Sequence, residues 1–154
     1  MADEGFIREL TGAIRGRIKD AGERTRADNR DAEIIKTEAP KQWVELKLWL
    51  QESIKQINHE LNSESIIYIE ENLNEVVVRY VEGQETREVT VAFTGRTSQI
   101  IAKGMLFPGA PDFESAFVPK VEGGSMHYIQ DKLPNARTSV EAIGKEILNR
   151  AAMP

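Results

Sequence analysis

The sequence predicts an α+β fold: N-terminal helices, an antiparallel β-meander of four to six strands, and a C-terminal helix packed on one sheet face. Three observations lead there. Apolar residues recur at steps of three and four over residues 40–61 and again over 139–153. Between residues 65 and 130 the period falls to two. The connections in that block are too short to join anything but antiparallel neighbours.

In residues 40–61, Trp43, Leu46, Leu50, Ile54, Ile57 and Leu61 fall on one side of a helix. Pro40 suits a first helical turn, where its missing N–H costs nothing, and the residue before a proline is biased away from helix. A helix boundary is therefore expected at Ala39 and Pro40. Val44 and Leu48 lie about 100–140° around from Trp43, and Trp49 about 120° away on the other side. A helix covering a sheet with one face has no use for these three, which makes Val44, Leu48 and Trp49 candidate partner contacts.

Upstream, residues 5–19 form a second amphipathic pattern. Phe6, Ile7, Leu10, Ala13, Ile14 and Ile18 share a face, opposite Arg8, Arg15 and Lys19. Gly12 and Gly16 each weaken this helix by roughly 1 kcal/mol relative to Ala, so it depends on something to pack against. Phe6, Leu10, Ile14 and Ile18 are the candidate contacts. Residues 20–39 are the most charged part of the chain and offer only Ile34 and Ile35 for burial, which points to a linker or a solvated helix. The expected organisation is an amphipathic N-terminal arm with a charged linker over residues 1–39, followed by a single α+β domain over 40–154.

Strands are expected at 65–69, 75–81, 87–93 and 99–103, with two further runs at 113–121 and 125–130. The stretches 72–74, 82–85, 94–97 and Gly123-Gly124 carry turn residues between them. Pro119 places its run at an edge or ends it. Residues 104–112 read as a loop of large apolar residues and two prolines. Leu106, Phe107 and Phe113 are candidates for a ligand rim or a partner contact, against the plainer reading of a cover over the core. Thr138 and Glu141 have the spacing of a capping box, and Val140, Ile143, Ile147, Leu148 and Ala151 form the stripe of the last helix.

The 154 residues suffice for one domain with a real core. There is no cysteine, which excludes disulfides, thiolate metal sites and cysteine nucleophiles and makes a reducing, cytoplasmic setting the default. A net charge of −5 with mixed signs argues against nucleic acid as a partner. Binding to a membrane surface through Phe6, Ile7, Leu10, Ile14 and Ile18 is opposed by Asp3, Glu4, Glu9 and Asp20.

No catalytic, metal-binding or cofactor-binding constellation is present. The two histidines have no metal-ligand spacing: His59 reads as a surface residue, and His127 lies on a strand opposite Met126 and Tyr128. The turns at 94–97 and 123–125 lack the strand–loop–helix context and the lysine of a phosphate loop. The leading expectation is a non-enzymatic protein-interaction module that self-associates through its N-terminal helices. A small apolar-ligand carrier with a cavity between sheet and helices is the alternative, and an enzyme using carboxylates and His127 ranks behind both.

Overall fold

The computed structural model describes residues 3–106 and 113–152. Its elements run in chain order as α1 (Glu4–Leu61), β1 (Ile66–Asn72), β2 (Glu75–Glu82), β3 (Glu85–Thr94), β4 (Gln99–Leu106), β5 (Phe113–Glu122), β6 (Ser125–Gln130), β7 (Leu133–Thr138) and α2 (Val140–Ala152). The seven strands form one open antiparallel sheet in the order β1-β2-β3-β4-β5-β6-β7, so every strand lies beside its neighbour in sequence. The α+β architecture is therefore as expected, with one more strand than the alternation marks out.

The first helix departs most from expectation. In place of a boundary at Ala39 and Pro40, a single helix runs through the arm, the charged stretch and residues 40–61, with Pro40 inside it, so residues 20–39 take the solvated-helix form of the two expected. The charged stretch is rich in good helix formers and carries opposite charges at helical spacing, as in Lys19 with Glu23, Asp20 with Arg24, and Arg30 with Glu33. Pro40 removes one backbone bond to the preceding turn. Burial of Ala39, Trp43, Leu46, Leu50 and Ile54 holds the helix on both sides of that gap. Packing begins before Pro40, because Ile34 and Ile35 already lie against the core.

The helix has defined ends. Asp3 accepts from the amides of Gly5 and Phe6, and Asn62, in the left-handed conformation at φ 52°, returns its amide to Asn58 and His59. At the second helix the cap sits one residue later than the capping box implied. The Ser139 hydroxyl accepts from the Ala142 amide at 3.1 Å, while Thr138 ends β7, and Glu141 pairs forward with Lys145 at 3.0 Å instead of reaching back.

Strand register sorts the side chains onto two faces. Val76 pairs with Val91 and Val78 with Val89, and Phe93, Ile100 and Phe117 continue across β3, β4 and β5 on the same side. All are buried, and with Ile66, Met126 and Tyr128 they form the floor on which α1 and α2 rest. Trp43 stacks on Phe93 at a centroid distance of 5.8 Å and donates its indole N–H to the Leu73 carbonyl at 2.8 Å. The Tyr128 hydroxyl donates to the Ser98 carbonyl at 2.9 Å, and burial pushes its pKa upward. Gly123 and Gly124, both at positive φ, make the two-residue hairpin between β5 and β6.

The seventh strand was missed because LPNART carries no apolar alternation, and Pro134 argues against a strand interior. It sits at the sheet edge, where a missing donor is tolerated.

Trp49 finds its partner within the chain: its ring covers Gly144 of α2, where a Cβ would overlap it. Gly144→Ala adds helix propensity of about 1 kcal/mol but overpacks this contact at about 1–3 kcal/mol. The net cost of up to about 2 kcal/mol is expected to lower the melting temperature by up to about 8 °C. A raised melting temperature would mean that the ring does not rest there.

Candidate functional site

The exposed half of α1 is the first candidate. From Glu4 to Glu33 nearly every residue is solvent-exposed, including Phe6 (60%), Leu10 (44%), Ile14 (45%) and Ile18 (67%). Three of these residues, together with the exposed Ile7, repeat the spacing of the packed half. Ile7 precedes Trp43, Leu10 precedes Leu46, Ile14 precedes Leu50 and Ile18 precedes Ile54 by the same 36 residues. That separation is about ten helical turns, so the free stripe and the sheet-covering stripe lie along one line of the helix. The arm thus presents the kind of surface that the same helix buries further on, with no cover among the described residues.

The second candidate is a groove between α1 and β1. It has a volume of about 510 Å³, with Leu48 and Ile54 on the helix side and Ile66, Ile67 and Tyr68 on the strand side. Its polar lining includes Gln51, Glu52, Lys55 and Asn58. The Val81 amide donates to the Ser65 carbonyl, so residues 65, 67 and 69 face β2 while 66, 68 and 70 turn their backbone groups to the free edge. Asn58 occupies the first of these positions. Its side-chain amide donates to the Ile66 carbonyl at 2.7 Å, and its carbonyl accepts from the Ile66 amide at 3.1 Å. The helix in this way supplies a substitute strand residue and closes part of an edge that would otherwise invite pairing.

Tyr68 sits deeper in the groove. Its hydroxyl is shielded from solvent and makes no hydrogen bond among the described residues. Burial is the main cause that raises its pKa. Gln51 acts in the opposite sense without reaching hydrogen-bonding geometry. Beside it, Lys47 bridges Glu70 at 2.8 Å and the Leu73 carbonyl at 3.1 Å, pinning the β1–β2 turn to the helix.

The sequence-derived contact residues separate into groups. Phe6, Leu10, Ile14 and Ile18 come together on the free arm. Val44 and Leu48 are exposed further along the same helix, and Leu48 lines the groove. Trp49 belongs to the α1–α2 contact instead. In the apolar loop, Phe107 lies outside the described residues, as does the Leu106 side chain. Phe113 starts β5, with its ring against Gly104 and under the Arg150 guanidinium at 5.1 Å. His59 is exposed, and His127 is half-buried on the outer sheet face in register with Lys120. Among the described residues no cluster of acids and histidines could hold a metal ion, and no helix is long and apolar enough to cross a membrane.

Asn58, Tyr68 and Ile67 were not singled out from sequence. Asn58 reads as one polar residue on a helix, and only the return of β1 beside that helix gives it a task. The 36-residue spacing lies in the sequence itself, but it gains meaning only once α1 runs unbroken through Pro40. Comparison with protein-family models, curated proteins and solved structures gives no match to this chain.

Asn58→Ala removes both bonds to a buried strand residue and is expected to cost about 1–3 kcal/mol. Urea denaturation measures the loss. Faster hydrogen exchange at the Ile66 amide would locate it, and unchanged exchange there would contradict the capping role.

Proposed function

We propose that the chain is a non-enzymatic protein-interaction module in which the free half of α1 is the docking element. The observation that carries this reading is the stripe of Phe6, Ile7, Leu10, Ile14 and Ile18, held away from the domain on a helix whose other half buries the same pattern. Apolar side chains at such spacing serve helix-in-groove and helix-on-helix association, where burial of each contributes about 1.5–3 kcal/mol. Exposed in isolation they contribute nothing to this domain's stability. The charges between them keep the arm solvated when unbound.

Removal of residues 1–33 tests the reading, since those side chains make little contact with the core. The shortened protein is expected to keep its melting temperature within about 2 °C, as for substitutions remote from packed features. It should lose the assembled mass that light scattering records for the full chain. Equal mass for the two forms would overturn the assignment.

A second reading, a carrier of a small apolar ligand, is favoured by the α1–β1 groove and its unpaired Tyr68 hydroxyl. The groove is open and lies at the sheet's edge, whereas the space between sheet and helices is occupied by Trp43, Phe93 and their neighbours. A ligand there would lay apolar surface on Leu48 and Ile67 and offer Tyr68 an acceptor. Native mass spectrometry of the purified protein should then show a one-to-one adduct that Leu48→Glu abolishes. An adduct-free spectrum with no saturable uptake of an apolar fluorescent probe would exclude this carrier.

A further inference from the structure

We infer that the arm's partner is a second copy of this chain and that the two arms pair antiparallel, tip against middle, with Leu10 of one beside Ile14 of the other. The inference rests on the reading of the arm as the docking element and adds the occupant and its direction.

Two independent features set the direction. The first is charge. The tip of the arm, residues 3–9, carries Asp3, Glu4 and Glu9 against Arg8, and residues 15–21, which face it in this register, carry Arg15, Arg17 and Lys19 against Asp20. Antiparallel pairing lays the acidic tip of each chain along the basic middle of the other. Parallel pairing sets acid on acid and base on base. Arg8, and Asp20 where it faces Glu4, run against the antiparallel match.

The second feature is space. The stripe and the sheet lie on the same side of α1, as the shared 36-residue spacing of Ile7 with Trp43 and Ile14 with Leu50 requires. A parallel partner laid on the stripe would run, beyond residue 33 or so, into the volume that the first chain's own sheet fills. Its sheet would meet the first helix in the same way. In the antiparallel arrangement residue 10 faces residue 14 and residue 6 faces residue 18. The partner's domain then begins beyond the first chain's N-terminal tip, and both sheets clear the pair. The apolar overlap is short, about 18 Å at 1.5 Å per residue, which matches the span from Phe6 to Ile18, beyond which the line carries Ala21, Thr25 and Asn29.

The absence of native cysteine makes the test direct. Full-length Leu10→Cys and Ile14→Cys proteins are prepared separately, mixed, and oxidised mildly. Both positions are exposed, so neither variant threatens the fold. The expected result is a mass near twice 17.3 kDa for the unmodified protein and a disulfide-linked dimer that forms in the mixture well above its yield from either variant alone. Efficient self-linkage of Leu10→Cys would establish a parallel pair and overturn the proposal while leaving the arm as docking element. Linkage of the arm cysteine to Ile101→Cys on the outer sheet face, in place of Ile14→Cys, would overturn it too, by moving the stripe onto the partner's sheet. A monomeric mass with and without residues 1–33 would overturn this pairing together with the reading beneath it.

Discussion

The continuity of one helix governs this molecule. Residues 39–57 of α1 are fixed to the sheet by buried side chains, by the Trp43 indole on the Leu73 carbonyl and by Asn58 on Ile66. Because the backbone of α1 is helical without interruption from Glu4, the docked half also sets the azimuth of the free half. A flexible joint at residue 39 would let the arm face anywhere. A rigid one makes the direction of Phe6 and Ile14 a consequence of where Trp43 and Leu50 pack.

The same docking organises the sheet. A meander of neighbouring hairpins has two open edges and two faces, and stability requires that at least one face be covered. The helices cover the face bearing Val78, Val89 and Phe117, and Trp49 over Gly144 locks the two helices to each other. At one edge Asn58 blunts β1. At the other, β7 contains a proline. The outer face, with Thr90, Ala92, Ile101 and Ala116, stays half-buried among its own neighbours. Charged partners such as Arg79 and Glu88 are interspersed there.

Most of this architecture was legible because it rests on periodicity. The alternation of Val89, Val91 and Phe93 names a strand and its inner face without any structure, and the stripe from Trp43 to Ile57 names a helix and its packed side, although Leu61, at its end, is exposed. What failed was punctuation. Pro40 carries the local signal of a helix start, yet tertiary burial on both sides of it outweighs one lost hydrogen bond. Thr138 and Ser139 are equivalent caps in sequence, and only the pairing of Thr138 with Tyr128 assigns it to the strand. The arm's apolar stripe was legible for the same reason as the core. The groove was not, because Asn58 and Tyr68 meet only after the chain has turned back on itself.

The energetics of the arm set where the proposed partner would matter most, at its tip. Helix formation is limited by nucleation, and the docked half removes that cost by offering an existing helix end from which the arm propagates. Residues 24–33, without glycine, extend from it readily. Gly12, Gly16 and Gly22 then each subtract roughly 1 kcal/mol, and the stripe lies among and beyond them. Helical order in the tip is therefore the part of α1 least supported by the chain itself, since Leu10 and Ile14 stand exposed there. A partner that covered the stripe, as proposed, would therefore also supply the stabilisation that those glycines withhold. Replacing them with alanine would strengthen the lone arm, but the helix would then owe less of its order to contact.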